Sequence, residues 1–177
     1  MKSMILFSPE QIKCYMERCL ELALEARDDK KMHRPYVGAM LVSGSGEIIS
    51  AGRKSLAPGL KGFSVHAEHQ AIDEGIYDLD QKTVLITTLE PCTSKDYRRQ
   101  SCSELIVKSG IKQVVFGAYD NSPTCRPHNG EKYLQSQGIK TAYFEGLNER
   151  IAKELMDKKY ANEFFSKKNI AQRNRQG

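Results

Sequence analysis

A chain of 177 residues, 40% of them hydrophobic, is long enough for one domain with its own core and too short for two comfortable ones. Its net charge of +5 is uneven: from residue 151 onward seven Lys/Arg face three Asp/Glu, so the first 150 residues are nearly balanced and carry no strongly basic binding face. No apolar run approaches a membrane span, and the four-residue apolar patch near the N-terminus is too short for a secretory signal, so a cytoplasmic address is expected.

Ser8-Pro9-Glu10-Gln11 reads as a helix start, with a serine N-cap, proline at the first helical position and Gln11 completing a capping box. Ile12, Tyr15, Cys19, Leu22 and Ala26 recur at helical spacing and predict a first helix to about Arg27, with Cys14 and Cys19 as core filler. YVGAMLVSGSGEIISAG reads as two antiparallel strands around a Gly-Ser-Gly turn, and LAPGLKGF as a loop. A short helix follows from HAEHQAI to about Gly75. TVLITTLE is a nearly continuous apolar and β-branched run, the mark of a strand buried on both faces. ELIVKSG is a helix with a glycine stop, QVVFGAY a central strand, GEKYLQSQG a helix bounded by glycines and KTAYFEG a last strand. LNERIAKELMDKKYANEFF closes the domain as an amphipathic helix. Residues 1–168 are read as one domain and 169–177 as a basic, frayed tail.

Strands alternating with helices predict an α/β architecture. About twenty residues with a helix separate the last two strands, far more than a hairpin needs. The last two strands are therefore expected to be parallel.

The five cysteines, Cys14, Cys19, Cys92, Cys102 and Cys125, are an odd number with no sign of export. They argue for reduced thiols, some able to hold a metal. His66 and Glu68 open the short helix. Pro91-Cys92 directly follows the buried strand, and Cys102 opens the next helix, where Ser101 and Glu104 form an S-x-x-E capping box. Two helix N-termini at one sheet edge would bring His66, Cys92 and Cys102 to one point. One imidazole and two thiolates are the protein share of a catalytic zinc site. Cys125, in the loop SPTCRPHNG, is the rival third thiol. Glu68 sits too close in sequence to His66 for a fourth ligand and suits a proton carrier instead. Zinc lowers the pKa of a bound water from about 15.7 towards 7, and a neighbouring carboxylate can take and redeliver the proton.

These residues resemble the zinc-dependent cytidine/deoxycytidylate deaminase superfamily, whose signature is H-x-E followed by P-C-x-x-C. His66-Ala67-Glu68 and Pro91-Cys92 match. The second cysteine is delayed, since nine residues, TSKDYRRQS, separate Cys92 from Cys102. A long insertion there is shared by the riboflavin-pathway pyrimidine deaminases. RPYVGAMLV, LEPCT, SGIKQVVFGAYDNSP and LQSQGIKTAYFEG are similar to segments of that branch, and the resemblance covers about residues 8–165. It implies a three-layer α/β/α fold on a five-stranded mixed sheet, one Zn2+, a small pyrimidine nucleotide as substrate and a homo-oligomer.

Departures from that branch concern the substrate. His33-Arg34-Pro35 stands where it has Pro-Asn-Pro, Lys54 where it has a histidine, and Ser122 where it has an asparagine; Asp120 matches. Arg34, Lys54, Asp120, Ser122 and Arg126 are candidate substrate contacts, with Lys61, Arg98 and Arg99 as further cations for a phosphate. Asp120 suits a ribose or base contact, or a turn cap. His69 and His128 are read as surface or supporting groups. With no reductase-like segment following, the substrate stays open between the riboflavin-pathway diaminopyrimidine ribosyl phosphate and a cytosine nucleotide. Two other readings of the same centre are a deaminase of tRNA or single-stranded DNA, which the nearly neutral body and lack of an aromatic-rich basic stretch disfavour, and a non-catalytic zinc domain that binds a partner.

Overall fold

The computed structural model describes residues 5–27, 32–59, 64–74, 79, 81–94, 100–120 and 129–156. In chain order the elements are α1 (Pro9–Arg27), β1 (Gly38–Val42), β2 (Ile48–Arg53), β3 (Ser55–Leu56), β4 (Ser64–Val65), α2 (Ala67–Glu74), β5 (Val84–Thr87), α3 (Cys102–Lys108), β6 (Gln113–Phe116), α4 (Asn129–Ser136), β7 (Lys140–Tyr143), a 3-10 turn (Glu145–Leu147) and α5 (Asn148–Leu155).

Every residue of β1 and β5 is buried. That follows from their almost wholly apolar composition, with Thr87 the one polar residue, which leaves no face suited to water. They pair antiparallel, with Met40 opposite Ile86 and Leu41 opposite Leu85. β2 returns antiparallel on the outer side of β1, as the Gly-Ser-Gly turn predicts. β6 and β7 add parallel strands beyond β5, giving the order β2-β1-β5-β6-β7. The parallel last pair deduced from the long crossover is present.

Helices cover both faces. On one, α1 lies on β1, β2 and β5 and touches α5; on the other, α2 lies on β1 and β2, touches α3, and α3 touches α4. The result is the expected three-layer α/β/α arrangement on a five-stranded mixed sheet. One core cluster joins the layers, with Met16, Leu20, Met40, Leu41, Leu85, Ile86, Ile106 and Phe116 almost wholly buried. Among the described residues no helix is long and apolar enough to cross a membrane.

The local signals hold at α1: Gln11 N–H donates to Ser8 Oγ at 3.3 Å and Ser8 N–H to Gln11 Oε1 at 3.0 Å. The buried stripe is Ile12, Met16, Cys19, Leu20, Ala23 and Ala26. Tyr15 sits at its edge because its hydroxyl reaches out to the carbonyl of Gly46 at 2.7 Å. Cys14 corrects the expectation that both helix cysteines fill the core, since it is exposed while Cys19 is buried. Five residues at 3.6 per turn place the two about 140° apart around the helix, too far for one buried stripe. A second correction concerns LAPGLKGF. The ends of that loop are closed by a small antiparallel ladder in which Ser55 pairs with Val65 and Leu56 with Ser64. The remainder of the expected last helix and the basic tail lie outside the described residues.

α2 is seated unusually close to the sheet. A Cβ on Gly52 would overlap the carbonyl oxygen of Ala67 and lie 2.6 Å from the Ala71 nitrogen, so backbone meets backbone with no side chain to yield. Ser50 Oγ donates to the Ala71 carbonyl at 2.6 Å, and Gln70 Oε1 accepts from Arg53 N–H at 2.9 Å. Gly52→Ala is expected to destabilise the protein by about 1–3 kcal/mol through overpacking. Thermal unfolding followed by circular dichroism should show Tm falling by about 2–4 °C per kcal/mol. An unchanged Tm would mean that α2 can retreat without loss.

Candidate active site

His66 is the single residue between β4 and α2. Its carbonyl accepts the Gln70 N–H at 3.1 Å, the first hydrogen bond of the helix, which makes it the N-cap. The little β3–β4 ladder thus delivers an imidazole to a helix N-terminus. Glu68 falls in the first turn, where the helix's partial positive charge favours a carboxylate. Only 3% of Glu68 is exposed, and burial pushes its carboxyl pKa above the ordinary value.

The two cysteines arrive from different elements. Cys92 follows β5 by a short irregular stretch, while Cys102 is the first residue of α3, behind Ser101 as N-cap. The capping box anticipated at Ser101 and Glu104 is fully formed, with Ser101 Oγ accepting from Glu104 N–H and the Glu104 carboxylate accepting from Ser101 N–H. Ser103 then fastens the two cysteines together. Its N–H donates to the Cys92 carbonyl at 3.0 Å and its hydroxyl to the Pro91 carbonyl at 3.0 Å. Ser103 was not singled out from the sequence, although it stands inside the capping box. These bonds offset the long separation between the cysteines in the chain.

His66 Nδ1 lies 3.2 Å from Cys102 Sγ and 3.6 Å from Cys92 Sγ. The three ligand atoms lie within 4.8 Å of one another, and they form the one group of this kind found among the described residues. Tetrahedral zinc with ordinary Zn–N and Zn–S bonds separates a nitrogen and a sulfur ligand by about 3.6 Å. The donor set and its spacing therefore fit zinc. The Cys92 thiol is pushed down to about 3, chiefly by the hydrogen bond from the Cys102 thiol and also by His66. A sulfur already favoured as thiolate is ready to serve as a metal ligand. Glu68 Oε2 lies 3.6 Å from Cys102 Sγ, beside the three donors. An imidazole, two thiols and a buried carboxylate thus meet at the convergence of two helix N-termini.

Residues 9–118 match the profile of the cytidine and deoxycytidylate deaminase zinc-binding region. The chain belongs to this family. Within the cytidine and deoxycytidylate deaminase family, the likeness runs to the riboflavin-pathway branch. Riboflavin biosynthesis protein RibD of Aquifex aeolicus is 34% identical over 143 residues, covering 81% of this chain and 37% of that protein. The crystal structure of a diaminohydroxyphosphoribosylaminopyrimidine deaminase/5-amino-6-(5-phosphoribosylamino)uracil reductase from Thermotoga maritima matches with a TM-score of 0.65 at 31% identity, covering 83% of this chain and 40% of that one. The Aspergillus oryzae Rib2 deaminase, solved in complex with DARIPP, shares the fold with a TM-score of 0.64 at 22% identity, over 82% of this chain and 89% of that one. The chain spans about a third of the length of the curated relatives it matches.

The other candidate residues are placed as follows. Arg34 Nη1 donates to the carbonyl of Met156 at 2.6 Å and lies 3.4 Å from that of Lys153, holding the end of α5, while its guanidinium stands 5.5 Å over the Tyr36 ring. Lys54 Nζ donates to the carbonyls of His33 at 2.9 Å and Pro35 at 3.1 Å. Both cations thus serve backbone carbonyls, Lys54 those of the segment that enters β1 and Arg34 those at the end of α5. Asp120 is 9% exposed, and its backbone N–H donates to Glu90 Oε2 at 3.3 Å. His69 Nε2 is 3.1 Å from the Gln100 carbonyl oxygen, consistent with a supporting rather than a ligating group. Ser122, Arg126, Cys125, His128, Lys61, Arg98 and Arg99 lie outside the described residues. Glu90, buried beside Pro91-Cys92, was missed in the sequence, where LEPCT reads only as the end of a strand.

Proposed function

We propose that this protein is a zinc-dependent hydrolytic deaminase of an aminopyrimidine in a small nucleotide, with His66, Cys92 and Cys102 as metal ligands and Glu68 as proton carrier. The observation that carries the reading is the buried Glu68 carboxylate lying against a cluster of one imidazole and two thiols. A closed structural zinc site uses four protein donors, whereas among the described residues this cluster has three.

When bound, zinc supplies the Lewis acidity that makes water a source of hydroxide near neutral pH. Glu68 receives the proton released from water on its carboxylate. It then delivers that proton to the ring nitrogen next to the amine-bearing carbon. The water oxygen adds to the amine-bearing carbon. The same carboxylate then moves the proton of that new hydroxyl to the amine, so that the C–N bond breaks, ammonia departs and a carbonyl is left on the ring. Burial raises the proton affinity of Glu68, which suits a group that must hold a proton between two deliveries. The low exposure of Glu68 and Cys102 keeps bulk water from competing for it.

The riboflavin-pathway relatives favour a diaminopyrimidine ribosyl phosphate, with a cytosine nucleotide as the alternative. Candidate substrate contacts remain Arg34, Lys54, Asp120, Ser122 and Arg126. A cytoplasmic homo-oligomer, with residues 1–168 as one catalytic unit, completes the reading. The test is ammonia release from the zinc-loaded protein on riboflavin-pathway diaminopyrimidines, cytidine nucleotides, tRNA and single-stranded oligonucleotides. Turnover of a small aminopyrimidine nucleotide is the expected result. Release from the polynucleotides alone would move the protein to nucleic-acid editing, and release from none would end the catalytic reading.

A further inference from the structure

Glu90 takes no part in the chemistry above, yet it is only 3% exposed and directly precedes Pro91-Cys92. Its Oε1 accepts the backbone N–H of Glu131 at 3.0 Å, and its Oε2 accepts that of Asp120 at 3.3 Å. Asp120 follows β6, whereas Glu131 belongs to the first turn of α4. One side chain therefore joins three elements: the strand end that carries Cys92, the end of β6 and the start of α4. Carboxylate acceptors bond amides more strongly than neutral ones do. The backbone adds to the joint, since Glu90 N–H donates to the Ala118 carbonyl at 2.7 Å.

Gly130 is an independent sign of the same closeness. A Cβ there would overlap the Pro91 carbonyl oxygen and lie 3.0 Å from Glu90 Cγ. The first turn of α4 is thus pressed onto the peptide that leads into Cys92. This corner lies at the carboxyl ends of β5 and β6, the edge at which open α/β sheets receive ligands.

We propose that Glu90 is a positioning residue that holds Asp120 and the α4 N-terminus in fixed relation to Cys92, and so sets substrate affinity rather than the chemical step. The substrate half of this proposal rests on the deaminase reading. Glutamine at this position would keep the size of the side chain but offer one acceptor oxygen, turning its amide protons towards a backbone N–H.

The experiment uses the zinc-loaded full chain. Amide hydrogen exchange should find Asp120 and Glu131 protected in the wild type. In Glu90→Gln at least one of them should exchange about tenfold faster, the loss expected for a hydrogen bond to a charged group. Gln70 in α2 and Leu105 in α3 should keep their rates, and zinc content should not change. With the diaminopyrimidine ribosyl phosphate as probe, KM should rise about tenfold while kcat stays within about threefold, as for removal of binding shared by ground and transition states. Unaltered exchange, loss of zinc, or a fall in kcat with KM unmoved would each overturn the proposal. If Glu90→Gln does not fold, Gly130→Ala is measured in the same way, and unprotected Asp120 and Glu131 amides in the wild type already decide against it. Absence of wild-type turnover would refute the deaminase reading and the substrate half together, while exchange would still decide whether Glu90 holds the corner.

Discussion

Replacing Glu68 with glutamine is expected to leave zinc content unchanged and to lower kcat by a factor of about 10²–10⁴, the range for loss of a general acid–base group. The substitution keeps shape and hydrogen-bonding reach but removes the site that accepts and returns a proton. Glu68 is buried beside Cys102, so bulk buffer has poor access to replace it. Metal analysis and an ammonia assay on the same sample separate the two effects. Wild-type turnover with zinc in place would show that another group carries the proton. Loss of zinc would show instead that the carboxylate supports the metal.

The second large effect is expected at Cys102. Cys102→Ala removes one of the three donors gathered within 4.8 Å, and zinc affinity should fall by more than the 10–100-fold typical of losing a supporting partner. Apo and variant proteins should also melt lower than the zinc-loaded wild type, because a metal that binds only the folded state adds to its stability. Cys14→Ala is the matched control. Its thiol is exposed on α1, and the variant should bind zinc as the wild type does. Cobalt substitution tests the ligand set directly. Thiolate-to-metal absorption should correspond to two sulfurs in the wild type and one in Cys102→Ala. A wild-type spectrum of three sulfurs would bring in Cys125 and turn the centre into a closed structural site.

Much of the architecture was legible in local patterns. Ser8 and Gln11, and Ser101 and Glu104, form their capping boxes as written, because a cap is decided within a few residues. Gly110 and Gly138 close α3 and α4 with positive φ, at the positions where the glycines punctuate the sequence. The separation of the last two strands was enough to make them parallel. The misreadings arose where local patterns were silent. Tyr15 was drawn to the edge of the core by Gly46, and the loop after Lys54 was closed by a ladder of only two pairs, Ser55 with Val65 and Leu56 with Ser64, too short to show as a strand pattern.

For the site the division is similar. Residue types alone determined the chemistry on offer: an imidazole, a carboxylate and one thiol at predicted helix starts, and a second thiol just past a predicted strand. What only the tertiary structure decided is that His66 and the two cysteines share one point, that Ser103 holds Cys92 to α3, and that Glu90 ties the same corner to β6 and α4. Caps and periodicity follow from interactions within a turn or two of the chain. Convergence depends on strand order and on how deeply each helix seats on the sheet, as Gly52 allows for α2. Those depend on packing between segments far apart in sequence, which no local pattern contains.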